Sequence, residues 1–453
     1  MTVDTLIKNA VIVTGDGMRR PESGCVAIDG GMIVAVGNDC GDIDGRRVID
    51  ARGALLMPGA IDVHVHFREP GMTDKADIAG ESRAAVAGGV TSFIDMPNTV
   101  PPTTSAEEVD RKRAIASKSS AANYAFYIGA THDNLETLRQ ADRLPVAGIK
   151  LFVGSTTGNL LMDSDDDLDR LMAGAPTLIA VHAEDNGIIA EARERLLARH
   201  GGDDLPVELH ADVRPRQACV TAARRVIGLA RVHNARLHLA HVSTADELDL
   251  LDDPSTPLAD KLITSETCPQ YLLFDRADYT TRGTRVKCNP AVKEAADRQA
   301  LVKAVRDGVI DIIATDHAPH RPADKQGGAL KAASGMPSIQ FGYQLMMGLL
   351  GPELAAKTMA RNPAVAYRID RRGMIAPGYH ADLVLVRPDV SDTISDADVV
   401  SRCGWTPYAG MKLTHRVELT MVNGAIAYSR RDDLPADAGV RGSELTFSRG
   451  RHS

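Results

Sequence analysis

A chain of 453 residues exceeds one ordinary domain and can bury a large core, and its 52 basic and 60 acidic residues give a formal net charge of -8. That charge is spread without runs, so it leaves no footprint for nucleic acid or an anionic membrane surface. No run of about 18 apolar residues and no basic-then-apolar leader occurs, which disfavours a membrane span and a secretory signal and makes a cytoplasmic enzyme the expectation.

In chain order, residues 5–57 carry short apolar or alternating runs at 6–14, 25–28 and 32–36, separated by turns such as Asp29-Gly30-Gly31. Similar runs return at 381–386 and 416–422, the latter followed by the turn pair Asn423-Gly424 and a last run at 425–428. The two chain ends are expected to form one small β-sandwich. Between them, apolar strands are predicted at 61–66, 90–95, 123–129, 147–152, 177–182, 236–242, 262–266 and 310–316. Intervening segments such as 105–119 and 213–232 have helical spacing, so the pattern predicts an α/β protein with a (β/α)8 TIM barrel. The expected division is 1–57 and 371–430 for the sandwich, 58–370 for the barrel, and 431–453 for a tail that is loosely held or wraps a neighbouring surface. The six cysteines, Cys25, Cys40, Cys219, Cys268, Cys288 and Cys403, contain no CxxC pair and read as reduced, small apolar residues rather than a disulfide frame.

Chemistry concentrates at the strand ends. Asp62-Val63-His64-Val65-His66 closes the first strand, and alternation puts both imidazoles on one face. An isolated HxH is more often ordinary than metal-binding, but further strands end on Lys150, His182, His241 and Asp316. Parity aligns His182 with Leu178 and Ala180, His241 with Leu237 and Leu239, and Asp316 with Ile312 and Ala314, each row running into the barrel mouth. His238 then has the opposite parity and is expected to face the helices. Imidazole and carboxylate converging from several strands suit divalent metal, with zinc favoured by nitrogen-rich ligation. Six inward ligands exceed what one tetrahedral ion uses, so two ions are expected. Lys150 is the anomaly, since an ammonium is costly to bury and repels cations; a salt-bridged structural lysine is the plain alternative. A neutral amine could instead add carbon dioxide, giving a carbamate able to bridge two cations.

Several segments together resemble the amidohydrolase superfamily, and within it the group of dihydroorotases, dihydropyrimidinases and allantoinases. They are 58–71 with the HxH pair, Asp95-Met-Pro-Asn98-Thr99, the Lys150 strand, His182-Ala-Glu-Asp185, Ala240-His-Val-Ser-Thr244 and Ala314-Thr-Asp-His-Ala-Pro-His320. The resemblance covers residue 5 to about 430. It implies a TIM barrel beside a β-sandwich from both chain ends. It also implies metal ligation by His64, His66, carbamylated Lys150, His182, His241 and Asp316. Within the group, Arg68 and Asn98 favour dihydroorotase, where the matching residues hold the substrate carboxylate with help from the residue matching His320. The segments Lys287-Cys-Asn289-Pro, 333–337 and 403–407 point the same way, and Asn289 joins the expected substrate contacts. Glu266-Thr-Cys-Pro-Gln-Tyr-Leu272 departs, looking more like hydantoinases and allantoinases.

The expected chemistry is attack by a metal-activated hydroxide on a ring amide, with Asp316 shuttling the proton to the leaving nitrogen. Read in reverse, it is cyclisation of N-carbamoyl-L-aspartate to L-dihydroorotate in pyrimidine synthesis. Dihydropyrimidinase, hydantoinase or allantoinase is the alternative enzyme. A non-catalytic scaffold of the same fold is disfavoured because all six ligand positions are present. The resemblance implies a homodimer or tetramer. The segment 318–337, with Gly327-Gly328 and Gly335, reads either as a lid or as an ordinary surface loop.

Overall fold

The computed structural model describes residues 1–17, 21–38, 40–154 and 160–448. Its centre is a parallel barrel whose eight strands, Ala60–Val65, Val90–Asp95, Asn123–Gly129, Gly148–Val153, Ile179–Ala183, Leu237–Leu239, Ile263–Thr267 and Ile312–Ile313, neighbour one another in chain order. All eight coincide with the runs expected from the sequence. The last and first strands meet through a parallel bridge between Val65 and His317, reinforced where the His66 amide donates to the His317 carbonyl at 2.8 Å. Residues pointing inward (Ile61, Val63, Ala125, Tyr127, Leu178, Ala180, Ile312 and Ala314) form one buried cluster. Their sequence neighbours Ile149, Val181, Leu237 and Leu239 join a second cluster that packs against the helices. Two apolar faces on each strand are what a parallel sheet covered by helices requires.

The helices follow the amphipathic segments. Ala106–Ser119 starts at Ser105, whose side chain accepts from the Glu108 amide, and buries Val109 and Ala116. Arg216–His233 buries Ala222, Ala223, Val226, Ile227 and Ala230 at helical spacing and ends on Asn234 in the left-handed conformation. Among the described residues no helix is long and apolar enough to cross a membrane.

Both chain ends contribute to one eight-stranded sheet beside the barrel. Thr2–Ile12 pairs antiparallel with Glu22–Asp29, and parallel with Asp44–Asp50 and then Leu55–Pro58. Leu383–Thr393 adds to Leu55–Pro58 and carries Lys412–Val422 and Ala425–Ser429 outward. Strict alternation does the packing: Leu383 and Leu385 enter the sheet's own core, while Val384 and Val386 turn to the barrel. The sequence reading missed Asp44–Asp50, whose exposed polar residues hide its one buried side chain, Ile49.

Two expectations are corrected or sharpened. Cys25 and Cys40 form a disulfide, with Cα atoms 6.2 Å apart, against the reading of all six cysteines as reduced. The hairpin of Glu22–Asp29 with Met32–Gly37 returns the chain beside Cys25, a proximity that spacing alone does not reveal. The other four cysteines are free and buried. The tail from 442 to 448 lies against the barrel: the Tyr124 amide donates to the Ser443 carbonyl at 3.0 Å, the Leu445 amide to the Tyr124 carbonyl at 2.9 Å, and Leu445 enters the barrel's inner cluster. Residues 449–453 of that tail lie outside the described residues.

Candidate active site

At the C-terminal end of the barrel strands lies a cavity of about 560 Å³. His64, His66, Arg68, Asn98, Lys150, His182, His241, Asn289, Asp316 and His320 all line it, so every residue singled out from the sequence reaches one space. His64 and His66 do so although the pairing with the second strand shifts register between Asp62 and Val65. Nε2 of His66 and of His64 stand 3.1 and 3.2 Å from Oδ1 of Asp316. Potential ligand atoms of these three residues lie within 4.8 Å of one another. Nδ1 of His182 is 2.8 Å from Nε2 of His241, and the His241 ring is centred 5.4 Å from that of His64.

His241 and Asp316 have φ of 42° and 47°, in the left-handed region that non-glycine residues seldom occupy. This turn corrects the parity argument for His241. Leu237 and Leu239 face the helices, and the left-handed residue swings its imidazole back over the mouth. His238 accordingly points into the barrel rather than toward the helices: it pairs in register with inward Ala180, and its ring meets Tyr367 edge-on.

Burial dominates the electrostatics. It drives the His66 pKa to about 4 and lowers those of His182 and His241, so these imidazoles are neutral with lone pairs available. Asp316 is also buried, which alone would raise its pKa, but its polar surroundings in the cluster outweigh that, and the net shift is downward, so the carboxylate is ionised. Lys150 is fully buried, and among the described residues its Nζ has no hydrogen-bond partner. Among the described residues no carboxylate ion-pairs with it, which counts against the salt-bridged alternative, and desolvation lowers its pKa to about 8. Lone-pair nitrogens, an ionised carboxylate and an unpartnered buried amine form a donor set that fits divalent cations.

The surroundings hold this set in place. Asn98 Oδ1 accepts from His66 Nδ1 at 2.8 Å, which turns His66 Nε2 toward Asp316. Glu184 stands 3.1 Å from His182 Nε2 and is itself paired with buried Arg214. Arg68, at φ 67°, donates from Nε to the Pro319 carbonyl at 3.2 Å and from Nη2 to His320 at 3.1 Å. Among the described residues no carboxylate salt-bridges Arg68. Among the same residues Asn289 Oδ1 is buried without a partner. Residues 329–335 form one wall, pinned where Lys325 Nζ donates to the carbonyls of Lys287, Ala333 and Gly335 at 3.1, 2.7 and 2.9 Å.

Sequence reasoning missed Glu266. Its carboxylate accepts from His64 Nδ1 and, at 3.1 Å, from His238 Nε2. The available signal was a lone acid in the short strand Ile263–Thr267, with the parity of Thr264, which pairs in register with His238.

The Amidohydrolase family model matches residues 55–427. A dihydroorotase from Methanosarcina acetivorans is 32% identical over 98% of this chain and 96% of its own length. An allantoinase from Escherichia coli is 31% identical over 96% of this chain and 97% of its own. Among solved structures, an L-hydantoinase (dihydropyrimidinase) from Arthrobacter aurescens superposes with a TM-score of 0.89 at 25% identity, covering 98% of this chain and 100% of that one. With its barrel, its flanking sheet and its cluster of histidines and aspartate, this chain belongs to the amidohydrolase family of enzymes.

Proposed function

We propose that this enzyme is a two-metal cyclic amidohydrolase that interconverts L-dihydroorotate and N-carbamoyl-L-aspartate in pyrimidine synthesis. His64, His66, His182, His241, Asp316 and a carbamate formed on Lys150 would hold the two divalent ions, with zinc favoured by the imidazole-rich set. When bound, the ions supply an activated water and polarise the scissile carbonyl. Asp316, ionised beside three imidazoles, accepts the proton of that water and returns it to the leaving ring nitrogen. Arg68, Asn98, Asn289 and His320 hold the ring and its carboxylate at the other side of the cavity.

The observation that carries the choice of substrate is Arg68, a buried guanidinium that lines the cavity without a carboxylate partner. Burial pulls its pKa from 12.5 to about 10, so at neutral pH it keeps a charge that a ligand carboxylate would satisfy. Dihydroorotate carries that carboxylate, whereas dihydrouracil, hydantoin and allantoin do not. The ring-opening hydantoinase or allantoinase reading draws on the similarity to those relatives and on the segment 266–272. Incubating metal-loaded enzyme with the four rings separates the two. Dihydroorotate should be opened fastest; faster opening of a neutral ring would reassign the substrate and leave the hydrolase chemistry standing.

A homodimer or tetramer in the cytoplasm completes the reading. Its support is the resemblance and the charge pattern; the Cys25–Cys40 bridge weighs the other way, because cytosolic proteins seldom hold disulfides.

A further inference from the structure

We propose that Glu266 is a positioning residue of the metal centre, with its carboxylate holding His64 in the Nδ1–H form while His238 anchors that carboxylate from within the barrel. The inference rests on the metal-site reading above. Glu266 is fully enclosed, 1% exposed, in a barrel interior it shares with Ile61, Val63, Ala180 and Ile312, and it pairs in register with Ile312. Neither lysine nor arginine ion-pairs with it among the described residues. Among those residues its two oxygens meet only histidines, Nδ1 of His64 and Nε2 of His238. An ionised carboxylate only accepts, so the proton of His64 resides on Nδ1. Nε2 is thereby turned to the cavity, 3.2 Å from Oδ1 of Asp316, where it would meet a bound cation.

His238 is constrained in turn. Its Nδ1 stands 2.9 Å from the Thr264 hydroxyl, which can donate to it while Nε2–H donates to Glu266. Threonine, histidine, glutamate and histidine thus form one buried chain from the barrel interior to the cavity. An uncompensated anion at this depth is unfavourable for folding alone. Opposite a bound dication it is favourable, and the negative charge makes the His64 imidazole a stronger donor.

The test measures zinc affinity by competition with a chromophoric chelator, beside kcat, KM and thermal unfolding, for wild type, Glu266→Gln, His238→Phe and His238→Gln. Glutamine keeps the shape and one acceptor but not the charge, so Glu266→Gln should bind zinc about 10–100-fold more weakly. With zinc saturating, kcat should fall and KM should stay within about twofold, as expected for a group that does not touch substrate. His238→Phe, which strips Glu266 of a donor, should weaken zinc binding, and His238→Gln, which keeps one, should restore it. A folded Glu266→Gln with wild-type zinc affinity overturns the inference. Should that variant not fold, equal affinities of the two His238 variants and wild type overturn it. Wild-type enzyme that takes up no metal overturns the metal-site reading as well, which separates the two failures.

Discussion

Replacing Arg68 by Met tests whether the cavity is built for a carboxylate. Methionine keeps much of the stem volume and removes the guanidinium, of which Nε and Nη2 are used by Pro319 and His320 while Nη1 has no protein partner among the described residues. A hydrogen bond to a charged group contributes about 1.5–3 kcal/mol, and burial places this one toward the upper end. The expected loss is roughly one to two decades in kcat/KM on dihydroorotate. Stability should change little, since a buried cation without an acidic partner contributes little to folding. Steady-state kinetics on dihydroorotate and dihydrouracil supply the assay: wild type should strongly prefer dihydroorotate, and the variant should narrow that preference by losing only the charged substrate. An unchanged ratio, in an enzyme that loses or keeps both activities together, would refute the reasoning.

Lys150→Ala should lose metal and turnover together, with partial recovery on adding short carboxylic acids that restore a bridging carboxylate; metal analysis and activity with and without acetate check it. Asp316→Asn should abolish most turnover while substrate binding persists, because an amide cannot accept the proton; near-normal kcat in the metal-loaded variant would place the base elsewhere. Thiol titration in denaturant should find four reactive cysteines before reduction and six after, and six at the outset would contradict the Cys25–Cys40 bridge.

The barrel was readable because most inner strands are short apolar runs, several of them leading to a histidine or aspartate, and strand parity placed His182 in the mouth without further information. The same rule misdirected His238, because it assumes a regular strand through to His241, and the left-handed backbone at His241 breaks that assumption. Glu266 escaped notice because its contacts are with His64 and His238, which come from other strands and have no sequence spacing to betray them. Asn98 was singled out from the sequence and lines the cavity, but the acceptor it offers His66 is a matter of geometry. The Cys25–Cys40 pair depends likewise on how a hairpin returns. Periodicity reports which face a residue takes within one element, whereas pairings between elements wait for the fold.

In the proposed centre, two metals would be held by six residues, one of them a modified lysine. Anomalous diffraction at the zinc edge from crystals of zinc-loaded, active enzyme tests it most directly. The account predicts two peaks in the cavity, bounded by His64, His66, His182, His241 and Asp316, with density for a carbamate on Lys150 between them. A single peak beside an unmodified Lys150 would contradict it.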